Sequence, residues 1–168
     1  MAGKKIDRQL VELAGRHWLT SQLLQAGLEV ARPERDRGID LIAYVDFRQP
    51  GEGFVACPIQ MKAATKEIFG LDPKYSKFPG LILAYVWNLG NPSETKCYAL
   101  TYDDAFVIAD TLGWTTTKSF QTGGRSKKPR YITTKPSKDL RNRLAAYEMN
   151  SERWLQKVNS VAASAAEE

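Results

Sequence analysis

Gly38-Ile39-Asp40-Leu41-Ile42-Ala43-Tyr44-Val45, then Gln49-Pro50-Gly51-Glu52-Gly53, then a run from Phe54 through Gln60-Met61-Lys62 to Ala64: this stretch decides the fold. Its two outer runs are rich in β-branched, aromatic and other apolar residues, and a Pro-Gly turn cluster lies between them. That pattern predicts an antiparallel hairpin. Side chains alternate along a strand, so Gln60 and Lys62 share one face while Ile59 and Met61 take the other. Folding back around Pro50-Gly51 sets Asp40 opposite Gln60, Met61 or Lys62, according to the turn. One bulge, for which Gly51 or Gly53 would serve, brings Asp40 onto the face of Gln60 and Lys62. A carboxylate, an amide and an ammonium then meet on an otherwise apolar sheet.

Upstream, residues 6–26 read as a helix. Ile6, Leu10, Leu13, His17 and Leu24 recur at steps of three, four and seven, which puts His17 on the apolar side as a core histidine. Gly27 stands at the position of a C-cap glycine, and Leu28-Glu29-Val30 is a short strand. Downstream of the hairpin come a lysine-rich polar loop, a strand over residues 81–87 and another over 96–100. Thr101 caps a helix over 102–112, with Asp103 and Asp104 in its first turn, where the helix dipole favours acids. Residues 137–158 read as helical and 162–168 as a frayed tail. The expectation is one α/β domain over residues 1–161 with a central mixed sheet flanked by helices. Its core spans about 6–112, a basic loop about 118–136 and a C-terminal helical portion about 137–160.

Composition agrees with a folded single domain: 168 residues, 43% hydrophobic, 26% charged and 10% aromatic. No apolar run approaches the ~18 residues of a membrane span, and Met1-Ala2-Gly3-Lys4-Lys5 leads into no signal-type apolar region. A soluble, cytoplasmic protein without a membrane partner is expected. Two cysteines and one histidine leave a Cys/His zinc site one ligand short. A histidine-based hydrolase would rest on His17 alone, and no phosphate-cradling glycine string occurs. Cys57 and Cys97 fall on strands as inert small hydrophobes, and Trp18, Trp87, Trp114 and Trp154 read as core or interface residues.

The net charge of +5 is unevenly distributed. Segment 118–143 holds nine Lys/Arg against the single acid Asp139, a net +8 that leaves −3 for the rest. Its centre, Gly123-Gly124-Arg125-Ser126-Lys127-Lys128-Pro129-Arg130, reads as a flexible basic loop. Such loops follow a phosphate backbone, each contact releasing condensed counterions. Arg125, Lys127, Lys128 and Arg130 are therefore candidate nucleic-acid contacts, as are Arg35 and Arg37 (with Arg32) just before the Asp40 strand; plain solvation is the alternative for all of them. Lys74-Tyr75-Ser76-Lys77-Phe78 interleaves cations with aromatics as nucleic-acid surfaces do, or is a loop anchored by Tyr75 and Phe78.

The Asp40 group has a chemical use. Mg²⁺ takes oxygen ligands and often needs only one or two carboxylates when phosphate supplies others; it acidifies bound water and neutralises charge on a phosphodiester. A nearby lysine orients the water and stabilises the transition state. The alternative is an ordinary cross-strand ion pair between Asp40 and Lys62. Asp72-Pro73-Lys74 and Glu94-Thr95-Lys96 have a similar spacing, but neither is paired through a short turn with an acidic strand.

A helix, then Gly38-Ile39-Asp40, then Gln60-Met61-Lys62 on the next strand resembles the PD-(D/E)XK nuclease superfamily, in particular members with Gln in place of the second acid. The layout over residues 6–112 is similar to archaeal Holliday-junction resolvases and small restriction-like endonucleases. The resemblance implies a restriction-endonuclease-like core, Mg²⁺ dependence with Mn²⁺ substituting, and phosphodiester hydrolysis in DNA. Asp40 matches the metal-binding aspartate, Gln60 the variable second ligand and Lys62 the catalytic lysine. Related helices often carry Ala-Gly-Glu where this chain reads Ala14-Gly15-Arg16. Glu12, one turn earlier on the same face, either reaches the metal or forms an i,i+4 pair with Arg16 worth ~0.3–0.5 kcal/mol. The expected function is a metal-dependent DNA endonuclease. A nuclease fold that binds nucleic acid without cutting and a protein-interaction domain are the alternatives. Cutting both strands would take a homodimer, and a helicase, methylase or transposition partner is conceivable.

Overall fold

The computed structural model describes residues 7–35, 37–45 and 54–166. Helix α1 (Arg8–Gln25) leads into β1 (Glu29–Ala31), β2 (Leu41–Tyr44) and β3 (Ala56–Ala63). Next come β4 (Phe69–Leu71), a 3-10 turn Pro73–Lys77, β5 (Ile82–Trp87), β6 (Lys96–Leu100) and α2 (Tyr102–Thr111). The chain ends with α3 (Lys118–Thr122), β7 (Tyr131–Thr133), α4 (Lys138–Leu144), β8 (Glu148–Met149) and α5 (Ser151–Ala166).

Six strands form a mixed sheet in the order β1-β2-β3-β5-β6-β8, in which β3 and β5 run parallel and every other pair antiparallel. Alternation along the strands makes two cores. Leu41, Ala43, Ile59, Met61, Ile82, Ala84 and Val86 pack under α1 and α5 through Leu19, Leu23, Trp154 and Val158. Leu83, Tyr85, Trp87, Tyr98 and Leu100 pack on the other face against α2, α4 and the β4–β7 ribbon. The fold is therefore α/β with a mixed six-stranded sheet flanked by helices. Among the described residues no helix is long and apolar enough to cross a membrane.

Several local expectations hold. Gly27 follows α1 at φ +79°, and Thr101 caps α2 in a reciprocal capping box with Asp104. Cys57 and Cys97 are buried and free. The turn at 49–53 and Ile6 lie outside the described residues.

Four expectations are corrected. His17 is exposed, because α1 docks through Gly15, Leu19 and Leu23 rather than through Leu10, Leu13 and Leu24, which face outward. Gly15 explains the choice of face: a Cβ there would lie 2.5 Å from Ala63 Cβ, so its absence lets the helix settle onto β3. The basic segment is a loop only at its centre, residues 123–130, and is flanked by regular elements. Thr117 caps α3 by accepting from Phe120 N, Gly123 ends it at φ +79°, and β7 then pairs with β4. Residues 137–158 are not one helix, because β8 interrupts them to pair with β6. The stretch from 162 to 166 continues α5 rather than fraying.

Burial raises the Cys57 thiol from an ordinary 9.0 to about 11, and it raises the Cys97 thiol and the Tyr85 phenol as well. Desolvation, with Glu148 next in weight, lifts the Tyr98 phenol to about 12. All four groups are held neutral when folded, whereas the unfolded chain ionises its thiols and phenols from about pH 8.5–10. The stability these four groups supply is thus fully present below about pH 8.5 and is lost as pH climbs through 9 toward 11. Thermal melts across pH 7–11 should show this decline; a midpoint constant to pH 11 would contradict it.

Candidate functional site

Leu41 pairs with Ile59, so Asp40 comes opposite Gln60 and on its face, the register for which the sequence predicts a bulge at Gly51 or Gly53, both outside the described residues. The ladder opens there. β2 begins at Leu41, one residue after Asp40, leaving the main chain of Met61 without a strand partner on that side. Asp40 Oδ2 accepts from Met61 N at 2.7 Å. The Met61 carbonyl accepts from Gln60 Nε2 at 3.1 Å, and the same Nε2 donates to Asp40 Oδ2 at 2.5 Å. Two oxygens, one anionic and one from the main chain, thus converge on a single electropositive group. Both Asp40 and Gln60 are only 8% exposed, and among the described residues they are the buried polar residues in an otherwise apolar set of buried side chains.

The chain of contacts continues to Lys62. Tyr75, 4% exposed on the 3-10 turn, donates its hydroxyl to Gln60 Oε1 at 3.3 Å and accepts from Lys62 Nζ at 2.9 Å. Asp40, Gln60 and Lys62 are therefore brought together, with Tyr75 as the link between amide and ammonium. A simple Asp40–Lys62 ion pair is not what joins them. Among the described residues, no carboxylate lies within ion-pair distance of Lys62.

On the opposite flank α1 supplies Arg16. Its Nη2 is 2.9 Å from Glu12 Oε1 and 3.8 Å from Asp40 Oδ1. Its Nε is buried and, among the described residues, has no hydrogen-bond partner. Glu12 thus forms the i,i+4 pair, with its side chain 54% exposed, and an arginine stands between it and Asp40. Among the described residues no three His, Cys, Asp or Glu cluster as a metal site. The oxygens that could hold a hard cation are Asp40 Oδ2, the Met61 carbonyl and the Gln60 amide oxygen. One carboxylate with neutral oxygens fits Mg²⁺ only where water and phosphate complete the shell.

Of the basic candidates, Arg35 and Arg37 are exposed ahead of β2, and Arg125, Lys127 and Lys128 are exposed on the turn between α3 and β7. Arg130, exposed as well, lines a cavity with Lys62, Lys74 and Tyr75. Phe78 is 54% exposed, so of the two aromatics expected to anchor that loop only Tyr75 does so. Lys74 Nζ lies 4.8 Å from the Tyr75 ring centroid and 3.5 Å from Asp72 Oδ2. Burial works against its charge, but Tyr75 and Asp72 outweigh that and hold its pKa above the ordinary lysine value.

Arg16, Tyr75 and the Met61 carbonyl escape a reading of the sequence. A signal for Tyr75 exists, an aromatic between two lysines, but nothing in strand periodicity brings position 75 to position 62. Comparison of the chain with protein-family models, with curated proteins and with solved structures gives no match.

Proposed function

We propose that this protein is a divalent-metal-dependent DNA nuclease acting through Asp40, Gln60 and Lys62. The observation that carries the reading is the continuous hydrogen-bonded chain from Asp40 through Gln60 and Tyr75 to Lys62 at the point where β2 and β3 separate. We read the helix, the antiparallel β1-β2-β3 and the parallel β5 as a restriction-endonuclease-like core. Bound Mg²⁺ would acidify a water molecule and neutralise charge developing on the phosphodiester. Asp40, the Met61 carbonyl and the Gln60 amide oxygen would hold it. Lys62, kept in place by the Tyr75 hydroxyl, orients the attacking water and offsets negative charge on the phosphate. The partly exposed guanidinium of Arg16, beside Asp40, is a donor group that a phosphate oxygen can accept from. The net +8 of segment 118–143 supplies sequence-independent backbone affinity.

The test is cleavage of plasmid, branched and single-stranded DNA. Wild type should cut in Mg²⁺ or Mn²⁺ and be silent in EDTA, and Asp40→Ala should be silent in both. Equal cleavage by both proteins would contradict the reading. A second reading, binding without cutting, is favoured by one observation: a guanidinium stands 3.8 Å from Asp40 Oδ1 where a second acid would assist a metal. Salt-sensitive DNA binding with no cleavage by wild type selects it.

A further inference from the structure

The cavity beside Lys62 extends beyond the residues assigned to hydrolysis, and its walls have a character of their own. It measures about 170 Å³ and lies beneath the β4–β7 ribbon, lined by Lys62 of β3, Lys74 and Tyr75 of the 3-10 turn, and Arg130 just before β7. Ile68, Leu71 and Ile132 form an apolar wall. Segments far apart in sequence thus deliver three cations to one small recess. The ribbon above it is closely fitted, since a Cβ on Gly70 would lie 2.7 Å from the Tyr131 carbonyl.

We propose that this cavity receives the phosphorylated end of a nucleic-acid strand, with the terminal phosphate held between Lys62, Lys74 and Arg130. The proposal rests on the reading of the protein as one that acts on DNA, and it adds a substrate class, strand ends that carry a phosphomonoester. Charge selects the monoester. Three cations against the one lining acid, Asp72, give net +2, whereas a phosphomonoester carries about −1.5 to −2 at pH 7 and an internal diester only −1. Asp72 is already engaged, 3.5 Å from Lys74 Nζ and accepting from Lys74 N at 3.0 Å. Among the described residues, Lys62 and Arg130 have no carboxylate partner, so an incoming anion displaces no ion pair from them. Size and polarity agree. The volume lies below the roughly 300–1,000 Å³ of drug-sized sites, enough for the phosphate itself, and the apolar wall with the Tyr75 ring is left to meet the attached nucleoside at the cavity mouth.

Fluorescence anisotropy in EDTA tests this without any cleavage, using short labelled single strands ending in a 5′-phosphate, a 3′-phosphate or hydroxyls only. One phosphorylated end should bind about tenfold or more tightly than the hydroxyl-ended strand, as one charge-assisted contact set implies. Arg130→Ala and Lys74→Ala, both at exposed positions, should each remove that preference. Asp40→Asn should retain it, which separates failure of this proposal from failure of the nuclease reading. Equal affinity for all three strands would overturn the proposal, as would loss of the preference in Asp40→Asn. Displacement of the strand by inorganic phosphate as strongly as by a nucleoside monophosphate would also overturn it, because the apolar wall would then contribute nothing.

Discussion

Under the proposed mechanism, Lys62→Ala should lower metal-dependent DNA cleavage by about 10²–10³-fold, the loss that follows removal of one preorganised charge-stabilising group from a transition state. The partner of the Lys62 ammonium is the Tyr75 hydroxyl at 2.9 Å, which also donates to the Gln60 amide oxygen. Tyr75→Phe keeps the ring and removes the link between Lys62 and Gln60, so it should cost less, on the order of tenfold. That loss should appear in the cleavage rate at saturating DNA, with affinity for DNA little changed. Single-turnover rates for wild type and both variants check the ranking. Lys62→Ala cutting at the wild-type rate would remove this residue from the mechanism.

Trp154→Ala destabilises the fold by about 3–5 kcal/mol, the range for emptying a fully buried aromatic site. For a chain of this length that is a fall of roughly 6–20 °C in melting temperature. Trp154 is 0% exposed and joins α5 to the same apolar layer as α1, β3 and β5, so the cavity opens beneath the strand that carries Gln60 and Lys62. Trp154→Phe should cost much less. The indole Nε1 is buried without a hydrogen-bond partner among the described residues, so phenylalanine removes an unsatisfied donor along with some volume. Urea or thermal unfolding reads both variants, and a loss below about 1 kcal/mol for Trp154→Ala would contradict the packing described.

Much of the sheet was legible from residue pattern, and the reason is local. The hairpin strands, β5 and β6 are short runs whose alternation places every second side chain in one of two cores, and Thr101 with Asp104 announces α2 through a capping box. Helix α1 was legible in extent but not in orientation. Leu10, Leu13 and Leu24 form one apolar stripe and Val11, Leu19 and Leu23 another, and periodicity cannot choose between them. The choice rests on Gly15, whose missing Cβ permits close approach to Ala63, a fact about the partner strand rather than the helix. Strands β7 and β8 were illegible because three and two residues carry no period, and each exists by pairing with a strand distant in sequence.

The candidate site divides the same way. Strand alternation alone put Gln60 and Lys62 on one face, and the turn cluster brought Asp40 near them. The contributions of Tyr75, the Met61 carbonyl and Arg16 depend on where β2 stops and on how the 3-10 turn and α1 approach, and no spacing in the sequence encodes those. Glu12 illustrates the limit: the i,i+4 spacing left it between Arg16 and a metal, and its carboxylate lies 2.9 Å from Arg16 Nη2.

The central claim is that a divalent cation is held where Asp40 Oδ2 and the Met61 carbonyl converge. Crystals of the protein with a short DNA duplex, soaked in Mn²⁺, test it through anomalous density. The account predicts a peak at coordination distance from Asp40 Oδ2, absent in Asp40→Ala crystals, with the Gln60 amide nitrogen turned away from the carboxylate. A Mn²⁺-soaked complex with DNA bound, no peak beside Asp40 and Gln60 Nε2 still on Oδ2 would contradict it.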